Sequence, residues 1–239
     1  MNATYSSYDF NKSISNFNEI LNSSDSNYVT HKGIPNKNDL TFTNGYVDVT
    51  VLFIDIRGSK ELSTKHTRPV LAKIYRAYIS EVISVMKGNS YISEINVEGD
   101  GIWAVFNTTS NYDVDTVFQT AFTLASLVDI LNVKLLKKGY SAINIGIGVD
   151  KGESLYIKAG YKGSGINEVV WLGKVVGQTA FLCSNANKNS NSRIMVSDNV
   201  YNCLTIQNKS LLQRNWSYNC YHGNIHRIDM NNWVEANKK

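Results

Sequence analysis

The chain has 239 residues, 43% hydrophobic and 18% charged, which is enough apolar material for one core-forming domain plus an extension. A formal net charge of +4 suits an anionic ligand such as a nucleotide and excludes the dense basic patch of a nucleic-acid binder. The start, MNATYSSYDFNKS, lacks a signal-peptide layout, and no apolar run reaches the roughly 18 residues that span a bilayer. Cys183, Cys203 and Cys220 show no CxxC spacing, so neither a disulfide framework nor a zinc site is expected, and the reading is a cytosolic soluble protein.

Residues 1–44 form a polar, Asn- and Ser-rich arm. Ile14, Phe17, Ile20 and Leu21 mark a short amphipathic helix in it, placed either on the body or on another subunit. The main domain runs from 45 to 239. YVDVTVLFIDI is a long strand, and Thr67 with Pro69 opens a helix whose face is Val70, Leu71, Ile74, Tyr78, Val82, Val85 and Met86. Gly88 ends that helix. YISEINVEGDGIWAVF is a hairpin broken at Glu98-Gly99-Asp100-Gly101. Asp113 caps the next helix, with Val114, Val117, Phe118, Ala121, Leu124, Ala125, Val128, Leu131 and Leu135 on its face and Gly139 after it.

AINIGIGVDKGESLYIKAGY predicts two more strands with a turn at Asp150-Lys151-Gly152. NEVVWLGK is a strand and VVGQTAFLCSNANK a helix, while SRIMVSDNVY and NIHRIDM supply the last strands. The order β-α-β-β-α-β followed by a second αβ portion predicts an α+β, ferredoxin-like split βαβ fold: a mainly antiparallel sheet with helices on one face.

VLFIDIRGSK places Asp55 inside an apolar run. A buried carboxylate costs several kcal/mol unless a cation or hydrogen bonds meet it. In this topology the first strand lies beside the hairpin, so Asp55 and Asp100 converge at one sheet edge. Two adjacent carboxylates repel, and a divalent cation resolves the conflict; oxygen ligands suit Mg²⁺ or Mn²⁺, with substrate phosphates completing the shell. The alternative for each alone is an aspartate capping a turn and a GDG that is only a hairpin bend.

FIDIRGS, EGDGIWAVF, IGIGVDKGESLYIKAG and VVWLGKVVGQTAFLCSNA resemble, in order and spacing, the class III nucleotide cyclases, whose metal motifs read F-x-D-I-x-G-F and G-D-G/A. YIKAGYKGSGINEVVWLGK is similar to the Pycsar antiphage cyclases, which make cyclic CMP or cyclic UMP. The resemblance implies that Asp55, Asp100 and the carbonyl of Ile56 hold two metal ions that activate the ribose 3′-hydroxyl and neutralise the triphosphate. It also implies a head-to-tail homodimer with shared sites, and a product read by a separate effector protein.

The two positions that read a purine in that family hold Asn96 and Val170, so neither purine pair is present. Asn offers donors and an acceptor to a pyrimidine edge, and Val170 offers apolar bulk; each is also what a hairpin strand and a core strand would carry. The reading is a pyrimidine nucleoside triphosphate, CTP ahead of UTP. The family's ribose-binding Asn and phosphate-binding Arg or Lys fall on Gly177 and Phe181, which lack those groups. Lys174, Gln178, Lys158, Lys162 and Arg227 are the replacements considered, each otherwise a solvated side chain. Arg57 either reaches the triphosphate or forms a structural ion pair, and His222 and His226 stand where the family places a phosphate-binding Lys. A nucleotide sensor without turnover is the alternative that Gly177 and Phe181 raise. A palm-type relative lacks its GG[DE]EF stretch.

Overall fold

The computed structural model describes residues 5, 7–24, 29–36, 45–161 and 166–238; Lys162 lies outside them. In chain order the elements are α1 (Phe10–Leu21), β1 (Val29–His31), β2 (Gly45–Arg57), α2 (Ser59–Lys65), α3 (Arg68–Lys87), β3 (Ile92–Glu98), β4 (Gly101–Phe106), α4 (Asn111–Lys137), β5 (Asn144–Tyr161), β6 (Ile166–Leu172) and α5 (Lys174–Asn185). After them come β7 (Ile194–Val196), α6 (Asp198–Cys203), α7 (Ile206–Lys209), β8 (Gln213–Asn215), β9 (Cys220–Gly223) and α8 (Ile228–Asn237). The strands form one sheet in the order β3-β4-β2-β5-β7-β9-β8, with β6 beside β5 and β1 beside β2. Pairing is antiparallel except for β1–β2 and β5–β7. The expected α+β architecture is present.

β2 sits in the middle because its side chains are apolar on both faces. Its even positions Leu52, Ile54 and Ile56 join Phe106 and Phe118 in the main core, under α3 and α4. Its odd positions Val47, Val49 and Val51 join Tyr156, Trp171 and Val175 in a second core. α4 is long and apolar enough to cross a membrane by length and composition, but its apolar stripe, including Val117, Phe118, Ala121, Leu124 and Val128, is buried in the main core.

The single layer of helices expected from the sequence describes α3 and α4. α5 lies on the opposite face. Phe53 pairs with Gly148 and Asp55 with Gly146 across β2 and β5, so both glycines share the odd face. A Cβ on Gly148 would overlap the backbone of Thr179 and Cys183 in α5. These glycines let a helix rest directly on the sheet.

Several predicted boundaries are corrected. Asp150-Lys151-Gly152 is no turn: each residue pairs with β2, opposite Val51, Thr50 and Val49, and β5 runs straight through for 18 residues. Asp150 is buried there, its carboxylate accepting from Lys151 N at 2.7 Å. The strand expected over SRIMVSDNVY stops at Val196, because Ser197 caps α6 by accepting from Val200 N. NIHRIDM holds no strand; Arg227 stands at the N-cap of α8, and the last strands are β8 and β9. Ser110, not Asp113, is the N-cap of α4, and Asp113 returns the bond at N3 as a capping box. α2 was not anticipated. Gly139, with φ +71°, closes α4 as expected.

α1 covers the predicted Ile14–Leu21 patch, but none of its residues is buried. Its apolar face is not covered by the described residues of its own chain. Part of the arm does join the sheet, since β1 pairs with Gly45–Val47.

Candidate active site

Asp55 projects from the end of β2 on the odd face, next to the parallel stack of Phe53 and Trp103, 5.4 Å apart. Pairing with β4 ends at Ile54–Ile102, so the β3–β4 turn lies beside Asp55. Gly99 makes that turn with φ +69°, a left-handed conformation suited to glycine. A Cβ on Gly101 would stand 3.5 Å from Asp55 Oδ1. The turn therefore delivers Asp100 to Asp55. Burial first, then the Asp100 carboxylate within hydrogen-bonding reach, push the Asp55 pKa upward; Arg57 and Lys188 pull it back down without cancelling the rise.

Arg57 is the cation that meets Asp55. Its Nη1 donates to Asp55 Oδ2 at 3.3 Å and its Nη2 donates to the Cys183 carbonyl of α5. The guanidinium lies over Gly146, where a Cβ would collide with it, and only 13% of its side chain is exposed. Cys183 donates its thiol to the Gly146 carbonyl at 3.2 Å. Burial pushes that thiol up to about 12, so it is no nucleophile at neutral pH. Between the two Arg57 roles that the sequence left open, this geometry is the ion pair.

The donor set fits a hard divalent cation. Two carboxylates and nearby backbone carbonyls supply only oxygen, and the upward push on Asp55, from burial first and the Asp100 carboxylate second, marks an ionised form that a cation would stabilise. No group of three or more His, Cys, Asp or Glu side chains that could hold a metal occurs among the described residues. A bound cation would need waters or substrate oxygens to complete its shell, as is usual for Mg²⁺. A small cleft of about 190 Å³ opens here, lined by Phe53, Asp55, Glu98, Gly101, Trp103 and residues of α5.

The base-reading positions lie elsewhere on the same chain. Asn96, on β3, donates Nδ2 to Glu94 Oε1 at 3.3 Å, and Trp171, on β6, donates Nε1 to Glu94 Oε2 at 3.2 Å. Val170, next to Trp171, pairs with Ile157 and is half-buried. Asn96 and the strand carrying Val170 are thus brought together through Glu94.

Among the described residues, the replacements considered at Lys158, Lys174, Gln178 and Arg227 are not brought to the aspartates within one chain. Lys174 is exposed at the start of α5, beside a cleft lined by Asp150, Glu153 and Asn199. Gln178 is half-buried, Gly177 is exposed with open space around it, and Phe181, 46% exposed, leans on Tyr218 at 6.0 Å. Lys158 faces Val169 across the β5–β6 ladder. Arg227 is held by Asp229 at 2.6 Å, and its backbone N–H donates to Ser126 of α4, which puts it on the far side of the sheet. His226 pairs with Asp129, which also takes both arms of Arg193. His222 accepts from Ser192 N at 3.0 Å, and burial lowers its pKa.

Sequence reasoning missed Lys188, whose charge reaches Asp55, and Tyr75, whose phenol is raised by burial and by Asp100. No pattern singled them out: Lys188 sits in an Asn/Ser-rich loop and Tyr75 on an ordinary helix turn.

The profile of the adenylate and guanylate cyclase catalytic domain matches residues 42–224. A uridylate cyclase of Gulbenkiania mobilis is 36% identical across the whole of both chains. A uridylate cyclase of Treponema porcinum is 34% identical over 86% of this chain and 72% of its own. A cytidylate cyclase of Staphylococcus aureus is 29% identical over 70% of this chain and 40% of its own. Among solved structures, the guanylyl cyclase Cya2 shares the fold at a TM-score of 0.61, covering 72% of this chain and 83% of that one at 18% identity. The converging aspartates and a profile match over most of its length agree: this chain belongs to the adenylate and guanylate cyclase catalytic domain family, the class III nucleotide cyclases.

Proposed function

We propose that the protein is a pyrimidine nucleotide cyclase converting UTP to its 3′,5′-cyclic monophosphate and pyrophosphate. The observation that carries this reading is full-length similarity, at 36% identity, to a protein named uridylate cyclase. It comes in a chain whose two purine-reading positions hold Asn96 and Val170. The sequence alone put CTP first; the full-length relative moves UTP ahead of it.

In the reaction the ribose 3′-oxygen bonds to the α-phosphorus, the α–β bridging bond breaks and pyrophosphate leaves. Asp55, Asp100 and the carbonyl of Ile56 would hold two Mg²⁺ or Mn²⁺ ions, whose chemistry is to acidify the 3′-hydroxyl and to neutralise the departing charge. The chain itself supplies positioning. Arg57 fixes the Asp55 carboxylate, and the left-handed Gly99 makes the turn that brings Asp100 beside it. Lys188 offers positive charge at the same edge. Since Lys174 and Gln178 do not reach the aspartates of their own chain, a homodimer in which the partner's α5 completes each site accounts for them best.

The resemblance to antiphage cyclases adds a role in phage defence, with the product read by a separate effector. Three free cysteines support a reducing compartment, the cytoplasm.

A second reading, a nucleotide sensor without turnover, is favoured by one observation: Gly177 and Phe181 offer no hydrogen-bond donor side chain where the family has two. Incubation with each of the four nucleoside triphosphates and Mn²⁺, with products identified by mass spectrometry, separates the readings. Cyclic UMP from UTP is expected, falling about 10³-fold in Asp100→Ala at a metal-free melting temperature no lower than that of the wild type. Purine products alone, or a product indifferent to Asp100→Ala, overturn the proposal. Thermal stabilisation by UTP without pyrophosphate release establishes the sensor instead.

A further inference from the structure

Two side chains from distant strands end on the carboxylate of Glu94. Asn96 Nδ2 donates to one oxygen at 3.3 Å and Trp171 Nε1 to the other at 3.2 Å. Glu94 and Asn96 are two residues apart on β3, hence on the same face. Trp171 is only 5% exposed and packs against Tyr156 with ring centroids 4.2 Å apart and planes tilted by 32°, so the indole is a fixed donor. Glu94 is itself half-buried beside this aromatic pair.

An asparagine amide can present either its oxygen or its NH₂ group to a ligand. A carboxylate can only accept hydrogen bonds. Because Glu94 accepts from Nδ2, the amide has one orientation, with Oδ1 turned away from Glu94. The indole bond to the second oxygen keeps the carboxylate from rotating away.

We propose that Glu94 is a specificity-determining positioning residue: it locks the Asn96 amide so that its carbonyl oxygen reads a hydrogen-bond donor on the pyrimidine edge. This rests on the pyrimidine cyclase reading. Uracil offers such a donor at N3–H, whereas the N3 of cytosine is an acceptor and would face Oδ1 lone pair to lone pair. Mispairing at one such position lowers turnover of the wrong base about 10- to 100-fold.

Glu94→Gln tests the lock. The fixed Trp171 indole claims the new Gln oxygen, leaving the Gln NH₂ toward Asn96, whose amide then turns over and presents a donor to the base. The expected result is a UTP-to-CTP ratio of kcat/KM that falls about 10- to 100-fold, with the melting temperature little changed. The double variant Glu94→Gln/Asn96→Asp restores an acceptor toward the base and a donor behind it, and regains the preference for UTP. An unchanged ratio in Glu94→Gln, or a double variant no more UTP-selective than the single one, overturns the proposal. If the wild type turns over neither pyrimidine nucleotide, the cyclase reading has failed. Calorimetric affinities for UTP and CTP in the presence of Mn²⁺ then read the same ratio. Equal affinities in the wild type, or no binding of either, overturn the lock as well.

Discussion

The two faces of the central sheet are built on opposite principles. Under α3 and α4, β2 offers Leu52, Ile54 and Ile56 to large neighbours such as Phe118, Tyr78 and Phe106, all buried. Toward α5, the same stretch offers Phe53 and Asp55, paired across to Gly148 and Gly146. At this end of the strand one face fills space with side chains and the other removes them, while farther back the second face packs its own core on Val47, Val49 and Val51. The bare face lets a helix backbone and an arginine press against the strand that carries Asp55. Around Asp55 the packed face thus supports the fold, and the bare face frames the proposed site.

The sharpest way to break this division is Phe118→Ala. The ring is fully buried and meets Phe122 edge-on at 5.7 Å, so its loss should cost about 3–5 kcal/mol. Denaturant unfolding should show that loss, while cyclase activity per folded molecule stays near the wild-type value at moderate temperature. An activity defect exceeding the folded fraction lost would mean that the two faces are not separate. Gly148→Ala is the reverse experiment and smaller, about 1–3 kcal/mol for a methyl forced against backbone. Here activity should fall further than stability, because the displaced α5 carries the Cys183 carbonyl that anchors Arg57.

The same division explains what could be read in the sequence. Asp55 was legible because a charge inside a Val/Ile/Phe run is anomalous, and Asp100 because glycines on both sides announce a tight hairpin. The faces of α3 and α4 follow from their 3.6-residue period. The turn assigned to Asp150-Lys151-Gly152 failed because turn-type residues were taken at face value, when strand pairing with β2 on that stretch overrides local preference. The placement of α5 left a trace that went unused: Gly146 and Gly148 alternate in IGIGVD, bare positions on one face of a strand, which signal close backbone approach. Arg57 was recognised as a neighbour of Asp55, but its anchor lies 126 residues away at Cys183, beyond any local pattern. Glu94 escaped for a similar reason, since Trp171 lies 77 residues on.

The smallest expected effect is also the most direct measure of what the active face costs. Burial and Asp100 raise the Asp55 carboxyl above the ordinary aspartate range, against the pull of Arg57. A carboxyl with a higher pKa folded than unfolded binds its proton more tightly in the native state. Its stabilising contribution is then complete below the unfolded value, about 3.9, and is lost as pH rises through the folded one. At neutral pH the ionised Asp55 therefore opposes folding of the metal-free protein. Asp55→Asn should abolish activity yet raise the metal-free melting temperature slightly at pH 7. The gap over wild type should close as pH falls to about 4. Mn²⁺ should stabilise the wild type and leave the variant unmoved. A variant that melts lower than wild type at pH 7 would show that the Arg57 ion pair outweighs desolvation and repulsion, and that this face, too, is built for stability.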